Sequence, residues 1–490
     1  MVRILALATC LLATQAVAAP ADLLPAPAPP DPSLRQYVRV NDPQIALTHA
    51  RIIDGTGGPA QQDRTLLIDH GRIGAILPAG APTPPQATVL DMTGKTVLPG
   101  IVGMHDHLFY IARPNLDESG HAEAPLLVPQ MTFSAPRLYL AGGVTTIRTA
   151  GSVETYADLN LKRKIDEGKL AGPHMDISGP YLEGPGSPFI QMYPLRDADD
   201  ARETVDYWAD RGVTSFKAYM NISRAELGAA VAAAHRHGIK VTGHLCSVTY
   251  PEAIGLGIDD FEHGFVVNTQ LDTSKQPDKC SESGGIETLL KMDPNGPEAA
   301  SLIGQLLAAH VAITSTLPVF EGFFRRKTTP QWPAMLAVMS PQARAALRIT
   351  LHHQPQMPPD KMALAFRHMV ALEKRFFDTG GLLMGGLDPT GGGGVIPGFG
   401  DEREIELLVE AGFSPAAAIR VATLNGATYL GVASRIGSIE PGKNADLVVV
   451  QGDPSKTVTD IENVELVFKD GVGWDSGKLR HSVAGDYGLY

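Results

Sequence analysis

The sequence predicts a (β/α)8 barrel that carries a small β-sandwich domain built from both chain ends. Through the centre of the chain, residues 98–428, eight short apolar runs alternate with helical stretches. On either side, residues 41–97 and 429–490 contain short alternating runs broken by Gly and Asp, which is typical of small antiparallel strands. The eight runs are TVLPGIVGMHDH, GVTTIRTA, HMDISGP, VTSFKAY, IKVTGH, IDDFEHG, VAITSTLP and GLLMGGLDP.

The amino-terminal segment, residues 1–19, has the features of a secretory signal peptide. A positive Arg3 precedes an apolar stretch, and residues 16–18 (AVA) provide the small side chains of a cleavage site. A membrane anchor is the alternative, but the apolar run is shorter than the roughly 20 residues that a spanning helix needs. We therefore expect an exported protein, periplasmic or secreted, with no membrane contact after cleavage. A Pro-rich linker or arm follows at residues 20–40.

Composition bounds the class of protein. The chain has 490 residues, 44% of them hydrophobic and 19% charged, which is enough to form a large core. Its formal net charge is -12 and it has no long basic run, so nucleic acid is not an expected partner. Two cysteines follow the signal segment, Cys246 and Cys280, and the sequence leaves open whether they pair.

Two of the central helices carry clear start signals. Ser223 and Glu226 form a capping box before an Ala-rich stretch that stops at Gly238. Ser414 and Pro415 suit the N-cap and first position of another helix. An open doubly wound sheet is the main rival to the barrel, but no Gly-rich phosphate loop follows the first strand. The alternation therefore favours the barrel.

Ionisable side chains stand at the ends of five of the predicted strands. In such a barrel the active site lies at the carboxyl ends of the strands, so these groups should meet at one mouth. They are His105 and His107 on the first strand, Lys217 on the fourth, His244 on the fifth, His263 on the sixth and Asp388 on the eighth.

The pair His105 and His107 is the clearest chemical signal. Side chains alternate faces along a strand, so both imidazoles face the same way and Asp106 faces away. Two imidazoles on one face form a metal clamp. A lone histidine would more simply be a hydrogen-bonded core residue, but the other polar groups at the same rim favour a metal site.

Lys217 and Asp388 add functions that histidines do not supply. A buried ammonium beside metal ions would be repelled, so Lys217 suits a neutral amine or a carbamate formed with carbon dioxide, whose two oxygens can bridge two metals. By position alone, a surface lysine in a salt bridge is the alternative. The Asp388 carboxylate can bind metal and take a proton from an attacking water.

The segments GMHDH, FKAY, TGH, EHG and LDP, in this order, resemble the amidohydrolase superfamily, and the likeness covers nearly the whole mature chain. The segment PGKNADLVVVQGDP resembles the carboxyl-terminal β-segment of its imidazolonepropionase-like and prolidase-like branch. With a lysine on the fourth strand, the chain is similar to metal-dependent Xaa-Pro and aminoacyl carboxypeptidases and to ochratoxin-hydrolysing amidohydrolases.

The resemblance implies two divalent metal ions, usually zinc. His105, His107 and Asp388 would hold one ion, and His244 and His263 the other. A carboxylated Lys217 would bridge them together with a hydroxide that attacks an amide carbonyl. Asp388 would move the proton to the leaving amine. Members of the branch are often homo-oligomers, and we expect the same here.

The resemblance also argues against neighbouring reactions. Related deaminases typically place a glutamate soon after the fifth-strand histidine, whereas His244 is followed by LCS, and they usually lack the lysine. We therefore expect a hydrolase of a peptide-like amide in a small substrate, an N-acyl amino acid or a dipeptide, which releases the carboxyl-terminal amino acid. An ester, lactone or phosphotriester hydrolase and an inactive binding protein are the rival functions.

Substrate contacts are less marked in the sequence. Tyr219 should face the mouth and bind a substrate carboxylate or carbonyl, or else pack in the barrel. Arg148, at the end of the second strand, would pair with a substrate carboxylate or form a structural ion pair. Long connections at 264–310 and 319–379 are predicted as lids or as packing helices, and the second contributes an apolar wall of Phe320, Phe323, Phe324 and Trp332.

Overall fold

The computed structural model describes residues 22–110, 127–324, 331–353, 357–390 and 394–489, and the side chain of His353 is outside this description. The predicted signal peptide at residues 1–19 lies outside the described residues. Within the described ranges, no helix is both long and apolar enough to cross a membrane.

Eight parallel strands form the barrel. Their bounds are β7 (Ile101–Asp106), β8 (Val144–Thr149), β9 (His174–Asp176), β10 (Ser215–Ala218), β11 (Lys240–Gly243), β12 (Asp260–Glu262), β13 (Ala312–Ser315) and β14 (Leu383–Gly385). The strands pair in the orders β7-β8-β9 and β10-β11-β12-β13-β14. Each predicted central run contains one of them, so the predicted barrel is confirmed.

Backbone contacts close the two groups of strands into a ring. On one side, Gly179 N donates to Ser215 O at 2.9 Å, which joins the segment after β9 to β10. On the other side, Asp388 N donates to His105 O at 3.0 Å, which joins the end of β14 to β7. A side chain at Gly386 would place its Cβ 2.5 Å from His105 Cβ, so only glycine permits this approach.

Helices follow the strands and pack around the barrel. They are α1 (Ser134–Ala141), α2 (Thr155–Asp166), α3 (Ala198–Ala209), α4 (Arg224–Arg236), α5 (Tyr250–Gly255), α6 (Ile286–Lys291), α7 (Pro297–Ala308), α8 (Leu317–Phe323), α9 (Trp332–Val338), α10 (Pro341–His353), α11 (Pro359–Asp378), α12 (Phe399–Glu410), α13 (Pro415–Arg420), α14 (Gly426–Tyr429) and α15 (Ser476–His481). The Ser223–Glu226 capping box opens α4 and Ser414 caps α13, as predicted.

The β-rich domain draws strands from both chain ends. They are β1 (Val38–Val40), β2 (Gln44–Ile52), β3 (Gln61–Asp69), β4 (Arg72–Pro78), β5 (Thr88–Asp91), β6 (Lys95–Pro99), β15 (Leu447–Gln451), β16 (Val464–Lys469) and β17 (Val472–Asp475). All nine belong to one hydrogen-bonded sheet, and they form the β-rich domain that the sequence predicts from both chain ends. The sheet encloses one apolar cluster because β2 pairs with β5 near its start and with β6 near its end.

The predicted first barrel strand divides at Gly100. Its first half is β6, which pairs with β15 in the β-rich sheet, and its second half is β7 in the barrel. A side chain at Gly100 would place its Cβ 2.0 Å from Thr145 Oγ1, so the crossing between the two sheets requires glycine. After β17, the chain returns to the barrel, where α15 packs on α1 and Tyr487 is buried against Tyr110.

The amino-terminal arm is packed and does not form a free linker. Leu24 is fully buried and, with Leu23, joins an apolar cluster that includes Ala312 at the start of β13 and Tyr429 of α14. The guanidinium of Arg435 lies 3.2 Å from Asp22 and also donates to the carbonyl of Leu24. The arm therefore covers the end of the barrel opposite the predicted site.

Leu24→Ala should lower the free energy of unfolding by about 2–4 kcal/mol, because it leaves a cavity in this cluster. The measurement is chemical denaturation of the full chain. Val89→Ala is the control: Val89 is 53% exposed on β5, and its truncation should change stability by roughly 0.5 kcal/mol or less. An equal effect of both variants would contradict the assignment of the arm as part of the core.

Cys246 and Cys280 form a disulfide, which resolves the alternative left open by the sequence. It joins the segment just after His244 to the connection between β12 and α6. Lys275 of that connection donates to Ser247 O at 2.6 Å. The first predicted lid segment is thus tied to the barrel wall.

Glu373 of α11 is a buried carboxyl group beside β13. Ser315 Oγ donates to one of its oxygens at 2.8 Å, and burial raises the pKa of Glu373 from its ordinary value of 4.5 to about 8. A carboxyl whose pKa is raised by folding stabilises the fold fully below its unfolded pKa, and this stabilisation is lost as the pH rises through about 8. Alkaline conditions should therefore weaken this region.

Glu373→Gln should raise the free energy of unfolding at pH 9 by roughly 2–4 kcal/mol relative to the unmutated protein, because the amide is not ionised. At pH 5 the two proteins should be nearly equally stable. Denaturation at both pH values checks this. A variant that is destabilised equally at pH 5 and pH 9 would show that Glu373 is ionised in the folded state.

Candidate metal centre

All six ionisable residues singled out in the sequence lie at one end of the barrel. His105 lies in β7 and Lys217 in β10. His107, His244 and His263 directly follow their strands, and Asp388 lies three residues after β14. The side chains of His105, His107, Lys217 and His263 are buried, and those of His244 and Asp388 are half-buried. Lys217 is 1% exposed, so it is not a surface lysine.

Asp388 and the β7 histidines form one side of the centre. Asp388 Oδ1 lies 3.3 Å from His107 Nε2 and 3.5 Å from His105 Nε2. Lys217 Nζ lies 3.1 Å from the same His105 nitrogen. His105, His263 and Asp388 each offer a ligand atom within 4.8 Å of the other two.

His244 and His263 form the other side. The ring of His263 lies 4.4 Å from that of His105 and 4.4 Å from that of His244, measured between centroids. His263 Nδ1 lies 2.8 Å from Thr316 Oγ1. Its Nε2 is buried and has no hydrogen-bond partner among the described residues. A buried ring nitrogen without a partner fits a metal ligand.

Two of the predicted ligands have unusual backbones. His263 has φ 65° and Asp388 has φ 60°, the left-handed region that residues other than glycine rarely adopt. Such strain persists only where surrounding contacts enforce it, and it is common at functional sites. Both strained residues follow the carboxyl end of a barrel strand, at the mouth of the site.

The electrostatics favour the protonation states that bind metal. Burial lowers the pKa of His107 to about 4, and burial with the nearby Lys217 lowers the pKa of His244 to about 3. Burial alone would raise the pKa of Asp388, but His105 and His107 hold it well below its ordinary value. Neutral imidazoles and a carboxylate are therefore present at neutral pH, so the donor set fits divalent metal ions.

Burial also lowers the pKa of Lys217 to about 8, against the opposing influence of Glu262 and Asp388. Its Nζ lies 5.5 Å from the ring centre of Tyr181 and 5.7 Å from that of Tyr219. A large neutral fraction of this amine is therefore available near pH 8. A neutral amine is what reacts with carbon dioxide.

Aromatic side chains border the mouth. Tyr219 packs edge-on against His244 and Tyr181, with centroid distances of 5.0 and 4.9 Å. Phe109 stacks on His107 at 4.4 Å, and Phe320 of α8 lies 5.6 Å from His263. Tyr219 thus lies at the mouth, as expected for both of its predicted roles.

Two other side chains of the predicted apolar wall differ in burial. Phe324 is buried against Phe366 of α11, and Phe323 is 41% exposed. Tyr181 and Phe109 were not singled out in the sequence. Their signal was position, since Phe109 lies three residues after β7 and Tyr181 five residues after β9.

The prediction that Arg148 binds substrate is wrong. Arg148 is 1% exposed, and its Nη2 lies 2.8 Å from Asp260 Oδ2 and 2.8 Å from Glu262 Oε1. Its Nε donates to Met104 O at 2.8 Å. The side chain lies inside the barrel, between the strands, where these acceptors hold it. The alternative of a structural ion pair is the one that the structure shows.

A second group of possible ligands, His174, Asp446 and Asp470, joins β9 to the β-rich domain. His174 Nε2 lies 3.0 Å from Asp470 Oδ2, and the Lys469 ammonium lies 3.6 Å from the same oxygen. A cation is therefore already present, and we regard the group as an ion-pair cluster between the domains.

Comparison with known proteins gives a family match over part of the chain. Residues 384–473, which include Asp388, match the amidohydrolase family. The chain is 34% identical over 71 residues to adenine deaminase 2 of Jannaschia sp. (strain CCS1) and 40% identical over 68 residues to the dihydroorotase of Syntrophus aciditrophicus (strain SB). These alignments cover 14% and 13% of this chain and only 11% and 15% of the two relatives.

Solved structures match over most of the chain. A structure described as a prolidase from Bifidobacterium longum is 26% identical with a TM-score of 0.63, covering 90% of this chain and 98% of that one. A Xaa-Pro dipeptidase with bound methionine in its active site is 20% identical, with a TM-score of 0.63 and coverages of 88% and 100%. The structure of A. niger ochratoxinase is 16% identical, with a TM-score of 0.61 and coverages of 89% and 96%.

The chain has the amidohydrolase fold. The predicted resemblance to the amidohydrolase family is therefore confirmed, and its prolidase-like branch is represented among these structures. Within the amidohydrolase fold, the six residues at the mouth occupy the carboxyl ends of the barrel strands, where active sites of such barrels lie.

Proposed function

We propose that this protein is a binuclear metal-dependent amidohydrolase that cleaves a peptide-like amide in a small substrate, an N-acyl amino acid or a dipeptide. One observation carries the proposal: four imidazoles and a carboxylate surround a fully buried lysine at the barrel mouth. Among the residues that the structure describes, no carboxylate lies at hydrogen-bonding distance from Lys217, so burying it as an ammonium is costly. A bridging anion made from it accounts for both its burial and its neighbours.

In this proposal, His105, His107 and Asp388 hold one divalent ion, His244 and His263 hold the other, and carboxylated Lys217 bridges them. The imidazole and carboxylate donors favour zinc. When bound, two such ions supply a water of lowered pKa and a Lewis acid for the substrate carbonyl. The low pKa of Asp388 keeps it an acceptor at neutral pH.

Asp388 is proposed as the group that accepts the proton of the attacking water and passes it to the leaving amine. Its side chain is 15% exposed, whereas the His105 and His107 side chains beside it are almost fully buried. It is thus the member of that side of the centre that a substrate can reach. Tyr219 is proposed to contact the substrate at the opposite wall.

The apolar border of the mouth supports a substrate with a bulky apolar group next to the scissile amide. Phe109, Tyr181 and Tyr219 form one wall, and Phe320 stands across the histidines from them. Such walls bury apolar area and so favour large side chains over glycine. A Xaa-Pro dipeptidase and an ochratoxinase are among the similar structures, which is consistent with this class of substrate.

The test is hydrolysis of N-acyl amino acids and Xaa-Pro dipeptides by zinc-loaded protein, with metal content measured on the same sample. Each amide is paired with its ester, and the amino-acid side chain varies from Gly to Leu, Phe and Pro. Adenine is included because part of the chain is similar to adenine deaminases. We expect about two metals per chain and cleavage of amides with apolar side chains.

Other outcomes separate the rival functions. Turnover of esters alone would indicate an ester, lactone or phosphotriester hydrolase. Ammonia release from adenine would indicate a deaminase. Full metal content with no turnover of any substrate would favour a binding protein. Export and homo-oligomerisation are further proposals, and the disulfide supports an oxidising compartment.

A further inference from the structure

A buried carboxylate that the proposed chemistry does not use lies directly behind the metal centre. Glu262 is fully buried next to His263, and its Oε2 lies 2.7 Å from Nδ1 of His105. The other ring nitrogen, His105 Nε2, faces Lys217 and Asp388 at the mouth. The imidazole of His105 is therefore held between Glu262 on one side and the centre on the other.

The second oxygen of Glu262 is occupied by groups that donate. Arg148 Nη2 lies 2.8 Å from Glu262 Oε1, and Thr242 Oγ1 lies 2.7 Å from it. A guanidinium has no acceptor, so the atom that faces Arg148 must accept. Arg148 is fixed in turn by Asp260 at 2.8 Å and by the carbonyl of Met104. This arrangement leaves Glu262 no freedom to rotate.

We propose that Glu262 is a positioning residue that fixes the tautomer of His105, with Arg148 fixing Glu262. A carboxylate accepts hydrogen bonds only, so the hydrogen of neutral His105 must lie on Nδ1. The lone pair then lies on Nε2, which is the nitrogen at the mouth. The role toward a metal rests on the proposed function, whereas the tautomer itself does not.

His263 also has a side-chain partner on Nδ1, but that partner does not fix its tautomer. His263 Nδ1 faces the hydroxyl of Thr316 at 2.8 Å. A hydroxyl donates or accepts, so Thr316 permits both tautomers of His263. Of these two histidines, His105 is the one whose tautomer a carboxylate fixes. Removal of that carboxylate should therefore affect His105 and leave His263 unchanged.

Glu262→Gln tests the proposal with almost no change in shape. Because Arg148 requires an acceptor, the amide oxygen should face Arg148 and the amide nitrogen should face His105. The nitrogen donates, so the hydrogen of His105 should move to Nε2, where it blocks a metal ligand. We expect the affinity for the more weakly held zinc ion to fall 10–100-fold, measured by competition with a chromophoric chelator.

Asp260→Asn is the matched control. Asp260 lies at the same depth, contacts the same Arg148 nitrogen and also accepts from Thr314 at 2.9 Å, but it touches none of the ligand histidines. The asparagine oxygen can take the place of Asp260 Oδ2 and still accept from Arg148 and Thr314, so this variant should leave zinc affinity within a few-fold of the unmutated protein. Equal zinc affinities of Glu262→Gln and Asp260→Asn would overturn the proposal, since a general disturbance of the buried network would affect both.

A second readout does not depend on metal or on turnover. In full-length protein labelled with ¹⁵N-histidine, with and without zinc, His105 should show a strongly hydrogen-bonded Nδ1 proton, assigned by its loss in His105→Asn. In Glu262→Gln the proton should appear on Nε2. An Nε2 proton on His105 in the unmutated protein would refute the tautomer even if Glu262→Gln does not fold. Failure to bind zinc at all would instead refute the proposed function and leave this result standing.

Discussion

Lys217→Ala should lose bound metal and nearly all amide hydrolysis. The proposed bridge between the two ions is the carbamate of this lysine, and its loss removes one ligand from each ion. The fall in activity should exceed the roughly 100-fold that loss of an outer hydrogen-bond partner of a ligand costs. Metal analysis of the purified variant and turnover of the best amide substrate measure the two effects.

Chemical rescue and a control make this result specific. Short carboxylic acids should partly restore both metal and activity in Lys217→Ala, because a carboxylate can occupy the space of the carbamate. Lys240→Ala is the control, since Lys240 begins β11 at the opposite end of the barrel and contacts Tyr429. Unchanged metal content in Lys217→Ala would contradict the bridge.

Asp388→Asn should keep much of its metal but lose most of its turnover. The amide oxygen of asparagine still offers a ligand, but the amide does not accept a proton from water near neutral pH. General-base catalysis contributes roughly 10²–10⁴-fold, so kcat should fall by about that factor while KM changes little. Steady-state kinetics on the zinc-loaded variant, with its metal content, provide the measurement.

A near-normal kcat in Asp388→Asn would contradict the assignment of the base. A large loss of metal would show that Asp388 acts mainly as a ligand, because its carboxylate lies 3.3 Å from His107. Comparison with Lys217→Ala separates the two cases, since that variant should lose metal first and activity as a consequence.

The barrel itself was predictable because its signal is local. Apolar runs ended by polar residues mark strands, and the rule that parallel strands end at one edge places His105, Lys217 and Asp388 together without further information. The capping box of α4 and the Ser414 N-cap of α13 are equally local. The amidohydrolase motifs added the expected pairing of ligands to this pattern.

Other features depended on contacts between residues far apart in sequence. The division of the first predicted strand at Gly100 follows from Thr145, whose side chain fills the space that a Cβ would need. The packing of the arm near Leu24 was not predictable from the sequence, because the residues that it contacts are distant in the chain. The pairing of Cys246 with Cys280 likewise depends on how two connections fold back on each other.

Arg148 shows most clearly which properties the sequence determines and which the tertiary structure determines. The sequence by itself determined that an arginine stands in the second barrel strand, near a cluster of histidines, and that the cluster suits metal. Only the tertiary structure decided that its charge is directed to the buried carboxylates of Asp260 and Glu262. The physical reason is that strand periodicity shows which residues can share a face, whereas the partner of a buried charge depends on carboxylates contributed by another strand, more than a hundred residues away.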